Sequence, residues 1–204
     1  RNPRTKNRAL PRGILREREV FLFILVSFSV FILSIWQLAP LTRKLWPLVV
    51  IPFIIYPYTK RFTWSSHFLL GLCLGLAPVG AWVAIRDCVA LLPFLLGGAV
   101  LFWVAGFDIV YDCRDLEVDK GQKLFSMPAN FGIHKALRVT AFLHVLTVLL
   151  FLVVGVLAHA GLFFFLGVVA VAALLAYENR LVSPNDLSKV NEAFFTTNGF
   201  ISVL

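Results

Sequence analysis

Charge is what this chain has least of. Asp, Glu, Lys and Arg make up 15% of its 204 residues, and methionine occurs once against twenty phenylalanines. So little charge beside so much apolar surface excludes a disordered chain or a solvated coiled coil. The glycines and prolines follow no three-residue period, which excludes a collagenous chain. The three cysteines, Cys73, Cys88 and Cys113, have neither paired nor metal-ligand spacing, so a disulfide-stapled module is excluded and each reads as an inert small side chain. What the chain has instead is 59% hydrophobic residues, 14% aromatics and a mean hydropathy of +0.85. A soluble domain of this size could not bury that much, so the composition predicts an all-α, polytopic transmembrane helical bundle. The sequence opens at Arg1 and closes at Leu204 inside an apolar run, and it reads as a single-domain fragment (1–204) of a longer membrane protein with its last helix clipped.

A span needs about 20 apolar residues to cross ~30 Å of hydrocarbon. Six stretches approach this, at 20–38, 45–58, 68–85, 89–107, 139–157 and 162–177, and a seventh begins at 194. Pro47, Pro52 and Pro57 predict that the second is kinked or tilted. Assigning Lys and Arg to alternate loops puts sixteen on one side and three (Arg43, Lys44, Arg86) on the other. The positive-inside rule makes the first side cytoplasmic, and topology then accounts for the net charge of +8 without nucleic acid. Both long loops, 108–138 and 178–193, fall on that side, where chemistry is therefore expected.

Five of the eleven acids lie within residues 108–119. Asp108, Asp112, Asp115 and Asp119 are spaced i, i+4, i+7 and i+11, so a continuing helix would hold them within about 60° on one face, with Tyr111 at its border. Carboxylates stacked this way repel. They require either raised pKa values with shared protons or bound cations. A hard Mg²⁺ ion takes one or two carboxylates and leaves positions for phosphate oxygens, so the stripe reads as half of a metal-diphosphate clamp. Lys60 and Arg61, at the same membrane side in the segment that begins at Tyr56, are the cations expected to meet phosphate. The basic run Arg1, Arg4, Lys6, Arg8 and Arg12 has the charge of an anionic-lipid or nucleic-acid patch, but Pro3, Pro11 and Gly13 predict a structured turn there. His67, His144 and His159 lack a second ligand at i+3 or i+4 and read as hydrogen-bonded packing residues. A transporter or ion relay is the rival class, and it would place acids within the spans, whose central parts carry none.

At these residues the sequence resembles the UbiA superfamily of membrane prenyltransferases. Tyr56 to Arg61 is similar to its Y-x-x-x-K-R element, the segment from Arg4 to Gly13 to the stretch after its first aspartate motif, and Asp115 to Asp119 to its D-x-x-x-D core. Residues 126–132 are similar to its S-x-P-x-x-[FL]-G sequence, and 181–187 with 191–195 to the 4-hydroxybenzoate polyprenyltransferase-like branch, which includes menaquinone enzymes of the futalosine route. The resemblance implies a nine-helix bundle around a central cavity, of which seven helices are present here, with the first aspartate motif expected upstream of Arg1. It implies Mg²⁺-dependent transfer of a polyprenyl group from polyprenyl diphosphate to an aromatic acceptor, 4-hydroxybenzoate-like or naphthoate-like, in ubiquinone or menaquinone biosynthesis. A haem-farnesylating or chlorophyll-synthesising relative stays open. On that resemblance Asp108, Asp112, Asp115 and Asp119 hold Mg²⁺, and Arg8, Tyr56, Lys60 and Arg61 bind substrate. Asp108, Tyr111 and Asp115 act in catalysis. It also implies a multi-pass protein of the cell inner (plasma) membrane, its site facing the cytoplasm.

Overall fold

A computed structural model describes residues 8–204; the basic residues Arg1, Arg4 and Lys6 lie outside the described part. The chain is helical almost throughout: α1 (Glu17–Trp36), α2 (Pro40–Ile55), a 3-10 segment (Tyr56–Arg61), α3 (Ser66–Arg86) and α4 (Leu91–Asp112). A short 3-10 turn (Cys113–Asp115), α5 (Leu116–Gly121), α6 (Met127–Phe131), α7 (Ile133–Leu157) and α8 (Leu162–Leu181) follow. A π-helical turn (Glu192–Thr197) and α9 (Asn198–Val203) close it.

Five helical stretches among the described residues are long and apolar enough to cross a bilayer: α1, α3, the run Leu91–Gly121, α7 and α8. The second expected span is α2, and its sixteen residues reach only about 24 Å. Pro40 pre-organises its first turn, while Pro47 and Pro52 interrupt its ladder, and the chain then tightens into the 3-10 segment that carries Lys60 and Arg61. The seventh stretch forms the π turn and the six residues of α9.

Small residues decide which helices touch, because apolar side chains gain little from each other in lipid and backbones must approach closely instead. A Cβ at Gly75 would run into the Gly97 carbonyl, one at Gly97 into that of Gly75, and one at Gly71 into that of Leu101. The Gly71/Gly75 pair is therefore the α3–α4 contact. Across α4 and α7, a Cβ at Gly106 would meet the His144 imidazole at 2.5 Å. The Thr140 and Thr147 hydroxyls donate to the carbonyls of Gly106 (3.2 Å) and Ala99 (3.3 Å). Helix α1 lies at the margin, with Ile35 its one buried residue; Phe28 and Phe31 set their edges against Trp46 of α2.

The helix of α4 does not stop where the apolar residues end. It continues through the 3-10 turn into α5 as a near-continuous run of 31 residues. Its lower part is anchored from behind by Ala105, Ile109 and Cys113, packed with Met127, Ala136 and Leu143.

Candidate active site

That anchoring turns the acidic face of α4 and α5 toward α3 and the 3-10 segment. The Lys60 ammonium, carried on the 3-10 segment, donates to Asp112 Oδ1 and, at 3.1 Å, to Asp119 Oδ2, bridging two acids seven residues apart. Asp112 and Asp119 are buried, at 5% and 3% exposure. Burial disfavours the Lys60 ammonium, but the charges and hydrogen bonds of Asp112 and Asp119 outweigh it and raise the lysine's pKa above its ordinary value. Asp108 lies one turn before Asp112, and its Oδ2 is 2.7 Å from Nδ1 of His67 on α3. Asp115 sits buried in the 3-10 turn between the two halves of the stripe.

Two carboxylates thus share one ammonium, and a third meets the His67 imidazole. The Asp112 Oδ2 atom is buried without a hydrogen-bond partner, and the cluster holds more negative than positive charge. Excess anionic oxygen in a sheltered place is the donor set that a hard divalent cation takes. Among the described residues no three His, Cys, Asp or Glu side chains form a group that could hold a metal ion by themselves.

The other expected site residues are distributed around this centre. Tyr56, half-buried at the head of the 3-10 segment, lies within the electrostatic reach of Asp108, Lys60 and Asp112. Arg61 is exposed, and its guanidinium stacks over Tyr58 at 5.5 Å. Arg8 lines a separate hollow of about 950 Å³ with Leu10, Pro11, Glu19 and Phe23, and none of the stripe acids is in its walls. Tyr111 turns to the neighbouring face of α4. There its ring is 4.1 Å from that of Phe194, with the Arg114 guanidinium over it at 6.0 Å. The same aromatic face opens an apolar cavity of about 460 Å³ between α3, α4 and the π turn, lined by Leu74, Trp103, Phe107, Phe194, Phe195 and Asn198. Helix α4 therefore presents acids on one face and the wall of an apolar chamber on the next.

Two contributors were not legible as site residues. His67 is the fully buried, hydrogen-bonded packing residue the sequence suggests, and what the sequence does not show is its partner: residue 67 of α3 lies opposite Asp108 of α4 at the glycine-lined contact. Asn198 accepts from the Trp103 indole at 2.7 Å and donates to the carbonyls of Ala193 and Phe194 at 3.1 Å, so it ties the π turn to the cavity wall. The only earlier signal was a polar side chain within an apolar stretch. Arg114 also donates to Asn191, joining the stripe to the 178–193 loop.

An all-helical membrane bundle that holds a buried acid–lysine cluster beside an apolar chamber defines a membrane-embedded enzyme acting where a polar headgroup meets a greasy tail. The chain belongs to the UbiA prenyltransferase family, which residues 1–203 match. It is thus a multi-pass membrane prenyltransferase. It is 28% identical to a 4-hydroxybenzoate octaprenyltransferase of Aeromonas hydrophila over 195 residues, 96% of this chain and 68% of that protein. With the enzyme of the same name from Marinobacter nauticus the identity is 30% over 196 residues, covering 96% and 66%. Its fold is similar to the apo structure of a UbiA homologue from Aeropyrum pernix K1, with a TM-score of 0.88 at 27% identity over 99% of this chain and 76% of that one. A UbiA homologue from Archaeoglobus fulgidus bound to DMAPP and Mg²⁺ shares the fold at a TM-score of 0.64 and 21% identity, covering 100% and 76%.

Proposed function

We propose that the protein transfers a polyprenyl group from its diphosphate to a ring carbon of an aromatic acceptor of the hydroxybenzoate or naphthoate type, in quinone biosynthesis, at a site facing the cytoplasm. The observation that carries this reading is the convergence of Asp108, Asp112 and Asp119 on Lys60 and His67 beside the apolar chamber. The acids read from the sequence, Asp115 among them, would hold Mg²⁺, which when bound withdraws charge from the diphosphate. Lys60, already poised between two of them, neutralises the departing diphosphate, and Tyr56 and Arg61 bind its outer part, whereas Arg8, in its separate hollow, is given no part in this step. The C–O bond breaks with its electron pair leaving on the diphosphate. The Tyr111 and Phe194 rings, packed together beside the apolar cavity, offer their faces to the allylic cation. The electron-rich ring carbon bonds to the prenyl carbon, and the displaced ring proton passes to a carboxylate, with Asp108 and Asp115 the candidates, or to a diphosphate oxygen. Membership of a prenyltransferase family favours this chemistry over an ion relay.

The test is transfer of labelled polyprenyl diphosphate to 4-hydroxybenzoate by membranes carrying the complete gene product. Product formation is expected to stop in excess chelator and to fall by orders of magnitude in Asp112→Asn and Asp119→Asn. Full turnover in chelator, or in both variants, would refute the clamp.

A further inference from the structure

One motif takes no part in that mechanism. Residues 126–132, the Ser-x-Pro stretch and its glycine, supply no acid to it, yet Ser126 is fully buried. Its hydroxyl caps α6 by accepting from the Ala129 amide at 3.3 Å, with Pro128 in the first turn and Gly132 at φ +81° beyond its end. A short helix so pinned at both ends holds the extended residues before it. From there the Phe125 amide donates to the Lys60 carbonyl at 2.7 Å, and two residues on the Met127 amide donates to His67 Nε2 at 3.3 Å. Two amides, that of Phe125 before the cap and that of Met127 at the first position of α6, thus hold the two residues that reach the acids: Lys60, partner of Asp112 and Asp119, and His67, partner of Asp108.

The Met127 amide has a second consequence. An N–H that donates to Nε2 requires a lone pair there, so the ring proton resides on Nδ1 and is donated to Asp108 Oδ2. The imidazole is fully buried, and Nε2 lies 3.7 Å from the unpartnered Asp112 Oδ2.

We infer that His67 is a positioning residue: fixed as its Nδ1–H tautomer by the Met127 amide, it aims Asp108, while the 125–127 strap keeps it in register with Lys60. The claim rests on the proposed diphosphate site. Carboxylates that share a cation must be held from behind, because a freely rotating Asp108 loses orientation each time substrate leaves.

The amide nitrogen of asparagine falls where Nδ1 lies, and the end of glutamine falls near Nε2, so the two substitutions separate the functions. Membranes carrying the complete gene product are compared as wild type, His67→Ala, His67→Asn and His67→Gln. One readout is the Mg²⁺ midpoint for prenyl transfer. The other is the Mg²⁺ midpoint for thermal stabilisation of the purified protein in the presence of inorganic pyrophosphate. His67→Ala is expected to raise both midpoints about 10- to 100-fold. His67→Asn is expected to recover most of that loss and His67→Gln little of it. If alanine is too unstable to purify, the Asn/Gln contrast carries the test alone. Equal midpoints in Asn and Gln, or a lower melting temperature with an unmoved midpoint, would overturn the inference. Asp112→Asn separates the failures. If it shifts the midpoint and the His67 variants do not, positioning is wrong and the site stands; if neither shifts it, the site itself is wrong.

Discussion

Lys60→Met removes one charge from the acid cluster while keeping an unbranched chain of similar length. In the folded protein it leaves Asp112 and Asp119, 5% and 3% exposed, facing each other without the ammonium that bridges them. Removing one partner of a buried ion pair costs ~3–5 kcal/mol. The Lys60 side chain is 31% exposed, so solvent screens part of this, and about 2 kcal/mol is the expected loss. That is roughly a 30-fold fall in the ratio of folded to unfolded protein, and about 4–8 °C in apparent Tm for a chain of this length. The assay is thermal unfolding in detergent micelles with and without Mg²⁺. A divalent cation relieves the same repulsion, so Mg²⁺ is expected to raise the Tm of Lys60→Met by more than it raises that of wild type. A Tm within about 1 °C of wild type without Mg²⁺, or equal Mg²⁺ shifts in the two proteins, would show that the cluster is not under electrostatic strain and would refute the reasoning.

Other outcomes follow from other parts of the bundle. His144 is buried, its Nδ1 2.8 Å from the Asn179 amide nitrogen and its ring against Gly106, so His144→Ala should cost about 2 kcal/mol of stability while leaving the Mg²⁺ midpoint of transfer unmoved. Gly75→Leu drives a side chain into the Gly97 carbonyl and should abolish the monodisperse peak in size-exclusion chromatography, whereas Gly80→Ala, with nothing within 4 Å, should be neutral or stabilising by about 0.5–1 kcal/mol in the same melts. The Lys60 pKa is raised in the folded state, so its contribution is fully present below the ordinary lysine pKa and lost as pH rises through the folded value. Wild-type Tm should therefore fall at strongly alkaline pH, and Lys60→Met should lack that component of the fall when Tm is followed against pH.

Composition and periodicity determined a good deal by themselves. A chain with so little charge and so many apolar blocks has to be a helical membrane bundle, since only helices or closed barrels satisfy the backbone in lipid. The i, i+4, i+7, i+11 acids share one face only if the helix runs past its apolar end, and α4 does run on through the 3-10 turn to Gly121. The 56–61 segment, whose cations the sequence assigns to phosphate, places Lys60 between Asp112 and Asp119 and stacks Arg61 on Tyr58. Spacing along one helix is a local property, and one strand of sequence carries it.

What the tertiary structure decided is which residues from other helices stand opposite. Gly71, Gly75 and Gly97 set the distance and register between α3 and α4, and that register makes a partner of His67, a lone histidine on an apolar helix by every local measure. The strap from Phe125 to Met127 works through backbone amides, which no side-chain pattern encodes. The π turn that brings Phe194 onto Tyr111 is held by Asn198 and Trp103, ninety-five residues apart in the chain. Such pairings depend on close approach between helices, a three-dimensional quantity, so they became readable only once the bundle was assembled.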